Sequence, residues 1–429
     1  MNAFTPLSPS RTLSPSRRGL LATAAGFGLS LQLMAVPALA ADGELNRRKM
    51  IVVICRGGLD GLSVAPPIGD SEYRGLRGAL ALNDSALPLD GTFALHPQLT
   101  AVHAMAKAGE ARIVPAVATP DRARSHFEAQ DVLETGAPGV YSTTSGWLNR
   151  AVETLSTHRK VDALSVGPTA PLILRGKVQT ASWSPGRSVD AEARLPMLLQ
   201  DLYRNDALLG PALARGLATE TMAKDATAGL EAAPAATMMT NGKGGGVPPQ
   251  QAAFVRAAAQ QGRDAAHTLG ASLAGFMREP GGPTVAAISL DGFDSHANQA
   301  GLLTTRLAYL DAVLDGVHTG LGPEWKNTVV VVATEFGRTA RANGTGGTDH
   351  GTASTALLLG GALKPGGIVG DWPTLRQQAL YESRDVAPTL DMRGLFKGVL
   401  AEHMGVDRAA LDNSVFPSSA AARPVTGLV

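Results

Sequence analysis

The sequence contains a single cysteine, few aromatic residues and no excess of charge of either sign. Because Cys55 stands alone, no intrachain disulfide can form, even in an oxidising compartment. Lys and Arg number 38 against 37 Asp and Glu, with no basic tract, which argues against nucleic-acid partners or an anionic membrane surface. The 429 residues are 44% apolar, enough for one large α/β domain or two medium ones with a substantial core.

Residues 1–40 have the pattern of an export signal. Arg17-Arg18 precede an apolar run from Gly19 to Val36, and Ala38-Leu39-Ala40 is a small-residue cleavage pattern. We interpret this segment as a twin-arginine signal, with an ordinary Sec signal or an uncleaved anchor as alternatives. A cleaved signal predicts passage through the twin-arginine translocase and a periplasmic or secreted mature chain, residues 41–429. No later run is long enough to span a bilayer.

Continuous apolar runs alternate with helical periodicity along the mature chain. Such runs are typical of strands buried on both faces of a parallel sheet. The alternation predicts an α/β fold, a three-layer sandwich around a mostly parallel sheet. The predicted strands are 50–55, 111–119, 161–167, 171–176, 283–290, 327–334 and 354–361, and the predicted helices are 96–109, 125–136, 145–155 and 301–321.

The pattern changes to alanine-rich, helical sequence between about residues 194 and 280. Few strand signals occur there, so we interpret the region as a helical insertion in the α/β domain. Within it, residues 229–250, "GLEAAPAATMMTNGKGGGVPPQ", have the composition of a mobile loop or linker.

Polar side chains collect where four of the predicted strands end. In an open α/β sheet, ligands bind outside the carboxyl ends of the strands. Carboxylate oxygen and imidazole nitrogen are ligands of Zn²⁺, Mn²⁺ or Mg²⁺. The residues at the four strand ends are Arg56, Asp60 and Ser63; Arg124, Ser125 and His126; Asp291, Asp294 and His296; and Glu335, Arg338, Asp349 and His350.

Each of these features also has a purely structural interpretation. Ser125 precedes a predicted helix, with Glu128 three residues later, which is a capping box. Asp294 is equally consistent with a helix cap, and His296 with a solvated loop. The glycine-rich stretch "ANGTGGTDHG" has no Lys-Ser/Thr ending, so it is not a phosphate-binding P-loop.

The motifs "RRGLL", "RGGLDGLSVAPP", "RSHFEAQD", "SGWLNR", "DGFDSHANQ", "TEFGRT" and "GTDHGTAS" occur in this order. With them the mature chain resembles the bacterial family called domain of unknown function 1501. That family is placed in the alkaline phosphatase-like superfamily, which includes phosphatases, sulfatases and cofactor-independent phosphomutases. The resemblance implies divalent metals at the strand ends and a nucleophilic hydroxyl at a helix N-terminus.

Carried over residue by residue, the resemblance assigns Ser125 as the nucleophile and His350 as a late metal-binding histidine. It also assigns Asp294 with His296, or Asp291 with His296, as an Asp-and-His ligand pair. Two positions depart from the superfamily pattern. Cys55-Arg56 stand where an aspartate is usual, with Asp60 the nearest carboxylate, and Glu335-Phe336 stand where Asp-His is usual. Because phenylalanine cannot ligate a metal, one metal, a rearranged site and no metal all remain open.

Two functions follow from this pattern. In the first, an exported hydrolase cleaves phosphate or sulfate esters, either small molecules or polymers. Asp294, His296, Asp349 and His350 then bind a divalent metal (Zn, Mn, Mg or Ca) and converge on one point. Ser125 is the nucleophile, and Arg56 or Arg338 neutralises the ester oxygens. In the second, a non-catalytic relative binds a ligand or partner through the same cluster.

Overall fold

The computed structural model describes residues 44–82, 84–158, 160–166, 170–183, 203 and 249–429. The elements below belong to one unit, Leu45–Val429. The predicted signal, residues 229–248 of the predicted loop at 229–250 and most of the predicted insertion lie outside the described residues. The last two residues of that predicted loop, 249–250, are helical. Within the described part of the chain, no helix combines the length and apolarity needed to cross a bilayer.

An eight-stranded sheet forms the centre of the described structure. The described strands are β1 (Lys49–Cys55), β2 (Leu87–Pro88), β3 (Ala94–Leu95), β4 (Ala111–Ala118), β5 (Ala163–Val166), β6 (Ala181–Trp183), β7 (Val285–Leu290), β8 (Thr328–Ala333), β9 (Ser354–Leu359) and β10 (Leu390–Asp391). The order in the sheet is β10-β4-β9-β8-β1-β7-β5-β6, and β2 and β3 form a separate, small antiparallel pair.

Strand β9 runs against the direction of the other strands in this sheet. It pairs antiparallel with both neighbours, β4 and β8, whereas the other pairs in the sheet are parallel. The amino end of β9 therefore lies at the edge where the other strands have their carboxyl ends. Residues just before β9 consequently reach the same edge as residues just after β1, β4, β7 and β8.

Helices cover both faces of the sheet. The side chains of β1 alternate between the faces, with Ile51 and Val53 in one buried cluster and Met50 and Val52 in the other. The α-helices of the described residues are α1 (Gly61–Val64), α2 (Tyr73–Arg77), α3 (Thr100–Lys107), α4 (His126–Thr135), α5 (Trp147–Ser156), α6 (Pro249–Arg278), α7 (Gln299–Leu321), α8 (Met392–Val399) and α9 (Arg408–Ala410). Helices α3, α6 and α7 pack on the first face, and α5 and α8 on the second.

This architecture confirms the predicted fold class, a mostly parallel sheet between two helical layers. One predicted strand, 171–176, is wrong, because Leu172–Leu174 form a 3₁₀ helix. Its backbone groups bond to neighbouring elements instead of a strand: Asn149 donates to the Leu174 carbonyl, and the Gly146 amide donates to the Arg175 carbonyl. The short strands β6 and β10 were not predicted.

Helix α6 covers the C-terminal part of the predicted insertion. It packs with α3 and α7 on one face of the sheet. Its Leu273, Phe276 and Met277 are buried in the core. It lies against α7, where a Cβ at Gly270 would stand 2.1 Å from the Val313 carbonyl oxygen. Backbones that approach this closely leave no room for a larger residue. The boundaries of the insertion stay a prediction.

Candidate metal centre

Loops that are distant in sequence meet at the carboxyl edge of the sheet. Helix α4 follows β4 and begins at His126, and the loop after β7 contains Asp294. His350 lies four residues before β9, so it reaches this edge because β9 is antiparallel. These three residues come from three different connections of the sheet.

One atom from each of these three residues lies within 4.8 Å of the corresponding atoms of the other two. Asp294 Oδ2 is 3.5 Å from His126 Nε2, and Asp294 Oδ1 is 3.4 Å from His350 Nε2. In a tetrahedral zinc site with bonds of about 2.0–2.1 Å, neighbouring ligand atoms are about 3.3–3.4 Å apart. The two measured distances are close to this value, although they go to different oxygens of Asp294. The donor set, two imidazoles and a carboxylate, suits a divalent metal.

The Nδ1 atoms of His126 and His350 each lie beside an oxygen acceptor, which fixes the orientation of both rings. His126 Nδ1 lies 2.9 Å from Glu335 Oε1, and His350 Nδ1 lies 2.8 Å from the carbonyl oxygen of Arg124. An Nδ1–H that donates to oxygen leaves Nε2 as the lone-pair nitrogen, which is how metal-binding histidines are oriented. Accordingly, His126 Nε2 is buried and has no hydrogen-bond partner.

A third imidazole, His296, extends the cluster. Its Nε2 lies 3.1 Å from Asp294 Oδ1 and 3.0 Å from His350 Nε2, while its Nδ1 lies 3.2 Å from Asp349 Oδ1. The hydrogen bond from His296 lowers the pKa of Asp349. Asp294, His296 and His350 thus lie together, while Asp349 contacts His296 at Nδ1, the ring nitrogen that does not face Asp294. A metal site shared by all four residues stays a prediction.

Arg338 is buried beneath this cluster and contacts Asp294. Its guanidinium donates to the carbonyl oxygens of Gly57, Gly58 and Thr348, and Nη2 pairs closely with Asp294 Oδ1. Burial would raise the pKa of Asp294, but the Arg338 hydrogen bond and charge outweigh it and lower that pKa. Arg338 therefore holds Asp294 as an anion, and its donors are already committed to protein oxygens.

Glu335 supports the cluster from inside the protein. Its side chain is fully buried, and Oε1 accepts hydrogen bonds from His126, Gln130 and the Gly57 amide. Burial would raise the pKa of Glu335, yet the hydrogen bonds, led by that from His126, lower it. The hydrogen bond to Glu335 in turn raises the pKa of His126, whereas burial lowers the pKa of His350.

Phe336 occupies the place where the superfamily pattern has a histidine, and it packs against two imidazoles. Its ring centroid lies 4.9 Å from that of His126 and 4.8 Å from that of His350. The residue cannot ligate a metal, but these contacts restrict the orientation of both rings. Gly58 makes room for it, because a Cβ there would lie 2.4 Å from Phe336 Cε2 and φ is +65°.

Two predicted metal ligands, Glu335 and Asp349, lie outside the converging ligand atoms, because they contact the Nδ1 atoms of His126 and His296. Three further predicted site residues also lie outside them. Arg56 donates to Gln130 at 2.8 Å and to buried Glu134 at 2.6 Å, which ties it to α4. Asp60 is fully buried, caps α1 and pairs with Arg77 of α2. Asp291 is exposed.

Ser125 occupies the N-cap position of α4, one residue before His126, as predicted. The predicted capping box is wrong, however, because the Ser125 side chain makes no capping hydrogen bond. The residue is half-buried. His126 was predicted to lie among the strand-end histidines but was not assigned as a ligand. Glu335, the carboxylate that orients His126, is visible in the sequence, but only the fold shows that the two residues are partners.

The fold and the site define an α/β protein with a histidine–carboxylate cluster at the carboxyl edge of its sheet. The chain belongs to the family described as "Protein of unknown function (DUF1501)", which matches residues 47–415. This match confirms the family resemblance drawn from the sequence motifs. No curated protein matches the sequence.

Solved structures of sulfatases and related hydrolases resemble this chain at low identity. A phosphonate monoester hydrolase of Agrobacterium radiobacter is 12% identical, with 84% of this chain and 74% of that chain covered and a TM-score of 0.35. The C-terminal periplasmic domain of EptC from Escherichia coli, in complex with zinc, is 8% identical, with 73% and 72% covered and a TM-score of 0.33. A 2-O glycosaminoglycan sulfatase is 11% identical, with 74% and 65% covered and a TM-score of 0.32.

Proposed function

We propose that this protein is an exported, metal-dependent hydrolase of phosphate or sulfate esters. The observation that carries the proposal is the orientation of three imidazoles. The Nδ1 atoms of His126, His296 and His350 each lie within 3.2 Å of an oxygen, and His126 and His350 direct Nε2 toward Asp294. Arg338 already pairs with Asp294 Oδ1, but lone pairs on the Nε2 atoms of His126 and His350 still face the carboxylate and would repel it unless a proton or a metal lies between them. A divalent metal at His126, Asp294 and His350, with His296 adjacent, satisfies all of them.

A bound metal would polarise the ester and stabilise negative charge on its oxygens. The protein's own residues supply the rest. Ser125 is the proposed nucleophile, because it stands at the amino end of α4, where the helix dipole favours an anion, and its hydroxyl is not used as a cap. Attack by Ser125 Oγ on phosphorus or sulfur releases the substrate alcohol, which takes up a proton. Water then hydrolyses the Ser125 ester and restores the hydroxyl.

The test combines an ester panel with metal binding. Purified protein loaded with Zn²⁺ or Mn²⁺ is assayed on aryl and alkyl phosphates and sulfates, alongside Ser125→Ala and Asp294→Asn. Both variants should lose turnover, but Ser125→Ala should still bind metal while Asp294→Asn should not. A capping serine contributes about 1 kcal/mol, so Ser125→Ala, which removes no capping bond, should lower the free energy of unfolding by less than about half of that.

Two results would contradict the proposal. Full turnover by Ser125→Ala would remove Ser125 from the mechanism. Failure of metal-loaded wild type on the whole panel would leave the second function, a non-catalytic relative that binds a ligand or partner. One observation favours that alternative: the buried Arg338 guanidinium already gives Asp294 a cationic partner. Protein purified without chelator would then carry no stoichiometric metal.

The cellular route belongs to the same proposal. The paired arginines and the cleavage pattern of residues 1–40 support export through the twin-arginine translocase to the periplasm or beyond. That route carries proteins already folded, so it would allow the chain to acquire its metal before export.

A further inference from the structure

A second site lies beside the candidate metal centre, and we propose that it binds an anionic group on the part of the substrate that leaves as the alcohol. This inference rests on the proposed function, because it names the kind of ester that the metal centre would receive. The favoured substrates would carry a carboxylate, phosphate or sulfate in addition to the ester that is cleaved.

The site is a cavity of about 240 Å³ between the loop before β9 and the segment 377–384. Ligand pockets usually measure about 300–1,000 Å³, so this cavity accommodates a single small group, not a whole ligand. Its lining includes Ser383, which offers a hydroxyl group, whereas Thr339 and Asn343 use their side chains in hydrogen bonds to Arg341 and Asp349 within the wall. It also includes Asp349, whose Oδ1 bonds to His296 of the metal centre. A substrate could therefore contact both sites at once.

The charges on the cavity wall favour an anion. Two guanidiniums, Arg341 and Arg384, line it, against the single carboxylate of Asp349. Asp349 Oδ1 is already engaged by His296 and by Asn343 Nδ2, each at 3.2 Å. Arg341 is exposed, and among the described residues it forms no ion pair. Its charge is therefore available to a ligand.

Arg384 makes hydrogen bonds within the protein, but these do not use all of its guanidinium N–H groups. Nη1 donates to the buried Asp385 at 3.2 Å, and Nη2 donates to the carbonyl oxygen of His350 at 2.8 Å. These two bonds leave other guanidinium N–H groups on a side chain that is 39% exposed. The same residue thus links the cavity wall to a proposed metal ligand.

The turn at Glu382 and Ser383, which forms one side of the cavity, has strained backbone. Glu382 and Ser383 both have left-handed backbones, with φ of 51° and 54°, in a turn closed by a bond from the Arg384 amide to the Tyr381 carbonyl. Asn-Gly is the usual sequence for a turn with two such residues. Glu382 also pairs with Arg124 at 2.5 Å, and the Arg124 carbonyl orients His350. Strained backbone of this kind concentrates at functional sites.

The test compares two phosphate esters that differ by one anionic group, 3-phosphoglycerate and glycerol 1-phosphate. Their dissociation constants are measured by calorimetry on Zn²⁺-loaded Ser125→Ala, so that no turnover disturbs the titration. One charge-assisted contact at a partly exposed site corresponds to about a tenfold difference in Kd. We expect 3-phosphoglycerate to bind about tenfold more tightly, and the preference to fall below about twofold when Arg341→Gln is added.

Arg341 is chosen over Arg384 because removing Arg384 would also disturb His350. Arg263→Gln, which removes an exposed arginine of α6 outside the cavity lining, is the matched control and should keep the preference. Free glycerate distinguishes a substrate subsite from a site for separate anions and should bind much more weakly than 3-phosphoglycerate.

Four results would overturn the subsite: equal affinity for the two esters, a preference that survives Arg341→Gln, glycerate binding as tight as that of 3-phosphoglycerate, or binding of neither ester. Release of phosphate by the wild-type protein is measured separately. If wild type releases none while the Arg341-dependent preference persists, the proposed hydrolase function fails and the subsite stands. If wild type releases phosphate but the two esters bind equally well, the subsite fails and the hydrolase function stands.

Discussion

Replacing Glu335 with glutamine tests whether the cluster is built to hold a metal. Glu335 Oε1 accepts bonds from the Gly57 amide at 2.8 Å, His126 Nδ1 at 2.9 Å and Gln130 at 3.1 Å, and Oε2 lies 2.9 Å from Thr334 Oγ1. A glutamine oxygen can replace Oε1, and its amide can donate to Thr334, whose hydroxyl also donates to the Cys55 carbonyl. The substitution therefore preserves shape and hydrogen bonding while it removes the charge.

Loss of the Glu335 charge should lower the affinity of His126 for a metal. Carboxylates that support a ligating histidine typically contribute about 10- to 100-fold in metal affinity, or about 1.4–2.7 kcal/mol. We expect Glu335→Gln to raise the Kd for Zn²⁺ by at least about tenfold, measured by competition with a chromophoric chelator. A thermal melt of the metal-free variant checks that the fold is intact.

Glu134→Gln is the matched control. Glu134 is a buried carboxylate on the same helix as His126, but it pairs with Arg56 and accepts from the Ile173 amide. The Kd of this variant for Zn²⁺ should stay within about threefold of wild type. An unchanged Kd in Glu335→Gln, or equal weakening in both variants, would refute the assigned role of Glu335.

Asp60→Asn should lower the free energy of unfolding by about 3–5 kcal/mol, because it leaves the fully buried Arg77 charge without its partner; a Zn²⁺ Kd raised tenfold would instead make Asp60 a ligand. Burial lowers the pKa of His96 to about 4, so below pH 6.5 the unfolded chain takes up a proton that the folded protein excludes. Wild type should thereby lose about 3 kcal/mol of stability by pH 4 that His96→Gln does not lose, as urea titrations at several pH values would show. Finally, changing Arg17 and Arg18 to lysine should trap the precursor in the cytoplasm, and normal export of that double variant would favour a Sec signal.

The sheet could be predicted from sequence where its strands are long, apolar runs. Strands β1, β7, β8 and β9 follow this pattern because both faces of each are covered by helices. The three-residue β6 and two-residue β10 carry too little pattern of their own, and they form because a neighbouring strand offers free backbone groups. The stretch 171–176 is also apolar, but its carbonyl groups accept hydrogen bonds from Asn149 and Gly146 at the start of α5, not from the edge of a strand.

Which polar residues converge depends on spatial order, which local patterns do not contain. Asp60 follows β1 at the correct edge, yet Arg77, seventeen residues later, pairs with it inside the protein. His126 is half-exposed on a helix start, and Glu335 and Phe336, which lie across the sheet edge, orient its ring. The ion pair and the oriented histidine are both tertiary contacts, so neither could have been found by spacing.

The reversed strand β9 also affects how this protein can vary. Because β8 and β9 are adjacent and antiparallel, the segment 334–353 leaves the sheet and returns to it between neighbouring strands, about 5 Å apart. An insertion between such closely spaced anchors adds only a small loop-closure entropy, about 0.6 kcal/mol for each doubling of length. Residues could be added near Gly344 to Gly346, where Cβ atoms would meet nothing within 4 Å, without moving either strand. Relatives could therefore differ in the length of this segment while keeping the same sheet, so new specificities could arise here by insertion as well as by substitution.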